Sequence, residues 1–180
     1  KIINNQIKQI EKLVNEFSDF ARMPKPIFHK NNLVILIEEN IKLLQELDTT
    51  IEIIFLKNLD QIFVDSDKEQ LSRVFFNLLK NSIESIHQKS EKTKDFSKKI
   101  TIELIELNDH ISISIVDTGV GFENIKSNVK DILNPYFTTK KNGTGLGLSI
   151  VNKIINDHNG NIDFISIKNG AKVKIIFTKK

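Results

Sequence analysis

The chain has 180 residues, of which 39% are hydrophobic and 27% charged, with a formal net charge of +3. This length fits one domain with an appendage and excludes two full domains. The apolar content excludes a disordered chain, and the near balance of 26 basic and 23 acidic residues argues against nucleic-acid binding. Without cysteine, the chain has no disulfide, thiolate metal ligand or cysteine nucleophile. This absence fits the reducing cytoplasm, and because no apolar run approaches the ~20 residues of a membrane span we expect a soluble piece.

The first 22 residues predict a helix that packs against another helix. Apolar side chains alternate at spacings of four and three residues, as in a helix-bundle seam: Ile3, Ile7, Ile10, Val14, Phe17 and Ala21. An ordinary amphipathic helix is the alternative, because the pattern is short for a coiled coil. Pro24 and Pro26 end the helix, and we place a domain boundary there, between residues 1–26 and 27–180. Because the chain opens on Lys1 inside this pattern, we expect it to be a piece of a longer protein.

The remaining residues predict an α+β fold. Helices are expected at 33–47, from Asp67 to about residue 86, and at 146–158, and Asp67 with Gln70 has the capping-box spacing. Short strands are expected at 51–56 and 62–64. Alternating patterns predict two hairpins, 100–104 with 111–116 and 162–167 with 173–177, while 88–99 and 123–142 read as loops. This order predicts a two-layer α/β sandwich with helices on one face of the sheet.

Two polar clusters have residue types suited to ligand binding. Asn77 and Asn81 lie one helical turn apart and face the same side, where an amide oxygen could bind Mg²⁺. Exposed helix positions are the alternative in a chain rich in asparagine. Asp117 ends a buried strand ahead of Gly119 and Gly121, so its carboxylate could accept hydrogen bonds from an amino group such as that of adenine. The two glycines would let the backbone approach a planar ring, and a plain tight turn is the alternative.

A third cluster predicts a phosphate site. Gly143, Gly145 and Gly147 run directly into a predicted helix, where backbone N–H groups can bind an anion. Their spacing is not that of a dinucleotide-binding fold, and no P-loop is present. Just upstream lies a fourth cluster in which Phe137 would anchor a loop. Lys140 or Lys141 would neutralise phosphate charge when that loop closes.

In their order along the chain, the four clusters resemble the N, G1, F and G2 boxes of the Bergerat-fold (GHKL) ATPases, the superfamily of gyrase and the histidine kinases. The resemblance covers roughly residues 30–180 and implies a mixed, mostly antiparallel sheet that binds ATP and Mg²⁺. It implies that Asn81 binds the metal, that Asn77 and Lys80 act at the phosphates, and that the nucleotide contacts come from Asp117, Gly119, Gly121, Phe137, Lys140, Gly143, Thr144, Gly145, Leu146 and Gly147.

Asn77 points to one branch of this superfamily. Hydrolytic members carry a glutamate one turn before the metal-binding asparagine, and a carboxamide there cannot take a proton from water. The chain is therefore similar to the sensor histidine kinases, in which a histidine imidazole on another domain is the nucleophile. The run GTGLGLSIV at 143–151 supports the same branch. Glu84 departs from the pattern, because many histidine kinases have a phosphate-directed lysine there; Lys80 or Lys140 would then contact the phosphates.

Residues 13–26, LVNEFSDFARMPKP, resemble the end of the second dimerisation helix of NtrY-type nitrogen-regulation kinases. This implies three associations: the protein's own dimerisation domain with the acceptor histidine, a response regulator, and an inner membrane reached only through segments outside this chain. None of the four histidines has an acceptor motif, so we interpret them as surface or packing residues. The alternatives are a serine kinase of the anti-sigma-factor type and a degenerate interaction module without nucleotide.

Overall fold

The computed structural model describes residues 7, 10, 11, 14, 15, 17, 18, 20–122, 129–138, 140 and 143–179. The described residues from 7 to 21 are helical, as the seam pattern predicts. Of the seam positions, Ile3 lies outside the described residues, and Ile7, Ile10, Val14 and Phe17 are 47% to 61% exposed. The helix therefore presents an apolar side to solvent in the single chain.

Seven strands form two sheets within the described residues. They are β1 (His29–Asn32), β2 (Glu52–Lys57), β3 (Phe63–Ser66), β4 (Lys99–Glu106), β5 (His110–Asp117), β6 (Gly160–Ile167) and β7 (Gly170–Thr178). The main sheet has the order β2-β4-β5-β7-β6, in which only the β2–β4 pair is parallel, and β1 pairs with β3 in a separate antiparallel sheet. The α+β class and the mixed, mostly antiparallel sheet are confirmed.

One face of the main sheet is apolar because its strands place apolar side chains at every second position on that side. A row of apolar residues crosses all five strands on that face: Phe55, Ile102, Ile115, Val173 and Phe164. The adjacent row on the opposite face is largely polar and includes Glu103, Ser114, Lys174 and Asp163. The apolar face joins the helices in one buried core, which makes the two-layer sandwich.

The helices of this core are α1 (Leu33–Leu47), α2 (Lys68–Ser90) and α3 (Gly147–Asp157). Asp67 caps α2 as predicted, since its carboxylate accepts the Gln70 N–H at 3.0 Å. The second bond of a capping box, from the Asp67 N–H back to the Gln70 side chain, is not made, so that part of the prediction is wrong. The Gln70 side chain instead donates to Pro24 O at 3.0 Å, and the Asp67 N–H donates to Nε2 of the buried His158.

These contacts fasten the proline-containing segment to the start of α2. Besides the Gln70–Pro24 bond, the Ile27 N–H donates to Asp67 Oδ2 at 3.0 Å. The Phe28 ring meets His158 edge-on, with centroids 5.1 Å apart. The segment on which we predicted a domain boundary therefore packs directly against the larger unit.

Three features of the fold differ from the sequence-based expectations. The polar strand β1 was not predicted, because its residues have no apolar alternation and its pairing with β3 is a backbone property. Helix α2 continues four residues beyond the predicted end. The expected loop at 123–142 contains a 3₁₀ helix, Val129–Leu133, while residues 123–128, 139, 141 and 142 lie outside the described set.

No helix among the described residues has the length and apolarity that a membrane crossing requires.

Candidate functional site

One side of α2 carries the polar residues that the sequence singled out. Asn77, Asn81 and Glu84 follow one another at helical-turn spacing and are all partly buried. A Cβ placed on Gly147 would lie 3.7 Å from Asn77 Oδ1, so the Asn77 amide faces the first turn of α3. The structure thus brings the asparagine cluster and the glycine-rich run together, although they are some 70 residues apart in the chain.

Asp117 is a buried carboxylate at the end of β5, with 5% of its surface exposed. Its Oδ1 accepts the Gly119 N–H at 2.8 Å, and the Ser82 hydroxyl and the Ala171 N–H also donate to it. Burial raises the pKa of Asp117, while these donors and the charge of Lys89 oppose that rise. A carboxylate has about four acceptor positions, so a fixed acceptor remains for one donor on a ligand.

The loop after Asp117 is held against α2 by residues that the sequence analysis missed. Ser85 Oγ accepts the Val120 N–H at 3.1 Å, and Lys89 Nζ donates to Thr118 O at 2.8 Å. Ser82 donates to the Asp117 carboxylate itself. A signal for Ser82 is present in the sequence, because it interrupts the apolar stripe of α2, where a buried hydroxyl needs a partner.

Close backbone packing around Asp117 requires glycine. Gly121 has φ +65°, and a Cβ there would lie 2.5 Å from Gly170 O. At Gly119 a Cβ would overlap Ser85, and at Gly170 it would overlap the carbonyl of Asp117. The structure therefore assigns these glycines a packing role, and their predicted approach to a ring stays a prediction.

The glycine-rich run forms a turn before α3. Gly145 has φ +71°, and its carbonyl accepts the Tyr136 N–H at 3.0 Å. Thr144 Oγ1 accepts the N–H of Leu146, which is fully buried, at 3.4 Å. Leu146 is the N-cap of α3 and makes no side-chain capping bond. The start of α3 thus has N–H groups without a side-chain cap, of the kind that bind anions.

The loop before this turn contacts α2 through Lys140. Its ammonium donates to Asn81 Oδ1 at 3.0 Å and forms an ion pair with Glu84. Gly143 follows in a turn, with its N–H donating to Lys140 O at 3.1 Å. Phe137 is partly buried in the same loop, and Lys141 lies outside the described residues.

Lys80 lies away from this contact. Its side chain is exposed, and its ammonium is 6.0 Å from the centroid of the Phe76 ring. Neighbouring positions on a helix differ in direction by about 100°, so Lys80 and Asn81 point to different sides of α2. A role for Lys80 at the phosphates stays a prediction.

The histidines have contacts that fit surface or packing positions. His87 and His110 each contact an aspartate carboxylate, and His29 is exposed on β1. His158 is buried, accepts the Asp67 N–H and bonds the carbonyl of Ile154 at 2.8 Å.

The fold and the site define an ATP-binding domain of the histidine kinase-, DNA gyrase B-, and HSP90-like ATPase family. Residues 66–180 match the model of that family, and the chain belongs to it. Several curated relatives of the chain are named as sensor histidine kinases.

Two curated relatives illustrate the similarity. A putative sensor histidine kinase NtrY-like of Rickettsia felis is 34% identical over 181 aligned positions, covering 100% of this chain and 29% of the relative. The nitrogen regulation protein NtrY of Azorhizobium caulinodans is 31% identical over 179 positions, covering 99% of this chain and 23% of the relative. The chain therefore spans less than a third of either protein.

Solved structures show the same fold. The catalytic domain of histidine kinase ThkA superimposes with a TM-score of 0.71 at 29% identity, covering 85% of this chain and 96% of that one. A structure of ThkA in complex with the response regulator protein TrrA gives a TM-score of 0.77 at 26% identity, covering 99% of this chain and 50% of ThkA. The latter match includes the N-terminal helix region.

A matched pair of substitutions tests the glycine turn. Gly147→Ala should leave the free energy of unfolding within about 1 kcal/mol of the parent, because its Cβ meets only an ordinary contact and alanine favours a helix. Gly145→Ala should lose at least about 1–2 kcal/mol, because its φ is positive and Tyr136 fills the space. Urea unfolding measures both, and equal stabilities would contradict this geometry.

The pH dependence of stability tests the burial of Asp117. Because its folded pKa is raised above 3.8, the folded state binds the proton more readily, and the free energy of unfolding should fall as pH rises between 3.8 and the folded pKa. Asp48 and Asp67 have lowered pKa values, so their contribution is lost only as pH falls below 3.8. Asp117→Asn should remove the fall in the free energy of unfolding above pH 3.8 and keep the fall below pH 3.8. An unchanged slope above pH 3.8 would contradict the assignment.

Proposed function

We propose that residues 27–180 bind Mg·ATP and position its γ-phosphate for in-line transfer to a histidine on a dimerisation domain of the same protein. The observation that carries this proposal is the placement of α2. One helix contacts the buried Asp117 through Ser82 and faces the uncapped start of α3 through Asn77. An acceptor for an amino group and a site for phosphates therefore border the same helix.

Asp117 would recognise the adenine end of the nucleotide. Its carboxylate is fixed by three donors and has capacity for one more, which the exocyclic amino group of adenine can supply. Gly119 and Gly121 keep the adjoining loop close to the protein. The binding energy of adenine would then orient the phosphates at the other end.

The phosphates would lie against the turn of Gly143, Gly145 and Gly147 at the start of α3. Backbone N–H groups at a helix start favour bound negative charge. Thr144 and Leu146 shape that turn, and Lys140 lies close enough to Asn81 to exchange its partners there for phosphate oxygens. Phe137 would anchor the loop as it closes over the nucleotide.

Asn81 would be the protein ligand of magnesium. Its amide oxygen already contacts a cationic group, the Lys140 ammonium, so this position fits a cation with oxygen ligands. A bound Mg²⁺ would neutralise charge on the phosphates as the γ-phosphoryl group is transferred. Asn77 would contact the phosphates without activating water, because a carboxamide is not a base, and hydrolysis should be slow.

The acceptor would come from a segment outside this chain. Residues 1–26 would be part of the second helix of a dimerisation hairpin. The exposed apolar side chains of Ile7, Ile10, Val14 and Phe17 would be buried by packing against a partner helix. The greater length of the curated relatives and their names support this reading. A nitrogen of the acceptor imidazole would bond to the γ-phosphorus as the bond to ADP breaks.

A response regulator would receive the phosphoryl group next, by analogy with ThkA and its partner TrrA. We also propose that the domain lies on the cytoplasmic side of an inner membrane, linked to it by segments outside this chain. That placement rests on the resemblance to NtrY-type sensors.

Phosphotransfer tests the proposal directly. The chain, mixed with the separately produced dimerisation domain of its own protein and γ-labelled ATP, should place an acid-labile label on that domain, while the chain alone stays unlabelled. Asn81→Ala should lower the rate by about a hundredfold, because a metal ligand is lost. The control Asn108→Ala removes an exposed asparagine from the β4–β5 turn and should leave the rate unchanged. Acid-stable labelling of a serine would contradict the histidine assignment.

A further inference from the structure

The contact of Lys140 with α2 involves two oxygens of different charge. Lys140 Nζ lies 3.0 Å from the neutral amide oxygen of Asn81 and also forms an ion pair with the carboxylate of Glu84. The two oxygens share one side of the helix because Glu84 follows Asn81 by three positions. The Lys140 and Glu84 side chains are 36% and 41% exposed, so solvent and ligands can reach the pair. A single cation can therefore contact both oxygens at once.

We propose that Glu84 is a second determinant of metal binding beside Asn81. When the phosphates of a nucleotide attract Lys140, a divalent cation takes its place between Asn81 and Glu84, meeting the carboxylate directly or through one bound water. This inference rests on the proposed function, since it needs a bound nucleotide to draw Lys140 away.

The chemistry of the two side chains favours a hard divalent cation. Carboxylate and amide oxygens are the ligands that Mg²⁺ takes from proteins, and Mg²⁺ keeps several waters that can bridge to a carboxylate. The Lys140 ammonium shows that the side-chain geometry accommodates a cation without rearrangement of α2. Asn81 supplies an oxygen without charge, so Glu84 adds the negative charge that raises metal affinity.

Charge also predicts how Glu84 affects the nucleotide itself. Without a metal ion, a nucleotide that draws Lys140 away leaves the Glu84 carboxylate unpaired next to the negatively charged phosphates, and these like charges repel. With a metal ion between them, the repulsion becomes attraction on both sides. Glu84 should therefore make nucleotide binding depend strongly on the divalent cation, and by linkage make metal binding depend on the nucleotide.

Calorimetric titration of the chain with a non-hydrolysable ATP analogue measures this coupling as the ratio of Kd in EDTA to Kd in Mg²⁺. Glu84→Gln should lower the ratio by about tenfold or more, through weaker binding in Mg²⁺ and equal or tighter binding in EDTA. The control Glu69→Gln removes the same charge from an exposed position in the first turn of α2 and should keep the parent ratio.

Paramagnetic resonance of Mn²⁺ with the same analogue gives a readout independent of the nucleotide titration. The parent chain and Glu69→Gln should bind Mn²⁺ in the ternary complex about tenfold more tightly than Glu84→Gln. If Glu84→Gln changes Kd by the same factor in EDTA and in Mg²⁺, Glu84 acts only as a partner of Lys140 and the inference is overturned. Failure of the parent chain to bind the analogue under either condition would overturn the proposed function and the inference together.

Discussion

The burial of Asp117 is the constraint on which the rest of the site depends. A carboxylate with 5% exposure costs free energy unless donors surround it, and here the donors come from three separate parts of the chain: Gly119, Ser82 and Ala171. These bonds fix α2, the loop after β5 and the beginning of β7 relative to one another. The glycines around Asp117 follow from that constraint, because side chains at Gly121 or Gly170 would separate the same backbones.

Helix α2 transmits this constraint to the other end of the site. Ser82 lies next to Asn81 in the chain, so the helix that holds Asp117 also sets the direction of Asn81 and, one turn earlier, of Asn77. Packing of α2 against α3 in the common core then fixes the distance from Asn77 to the start of α3. A rigid helix thereby holds Asp117 and the start of α3, the proposed adenine and phosphate ends of the site, at a constant separation, which positioning for phosphoryl transfer requires.

The sequence predicted elements whose signals are local. Helix periodicity, the Asp67 cap and strand alternation each depend on a few neighbouring residues, and α1, the cap and the second hairpin were predicted within three residues. Long-range partners were not predictable in this way. The parallel pairing of β2 with β4, the polar strand β1 and the bond from the Gln70 side chain to Pro24 depend on which segments meet in three dimensions.

The same distinction applies to the site. The spacing of the four clusters indicated the family and its candidate residues, while the contacts of Ser82, Ser85 and Lys89 with the Asp117 loop emerged only from the fold. Lys140 was predicted in part. Its charge indicated a phosphate contact, but its contacts with Asn81 and Glu84 emerged only from the fold.

Selection of adenine by Asp117 is the proposal on which the others depend, and nucleobase discrimination tests it most directly. Adenine has an amino donor at the position where guanine has a carbonyl acceptor, so a buried carboxylate should attract the first and repel the second. We expect that, in Mg²⁺, a non-hydrolysable ATP analogue binds at least about a hundredfold more tightly than the GTP analogue, and that Asp117→Asn largely abolishes this ratio. Equal affinities for the two analogues in the parent chain would contradict it.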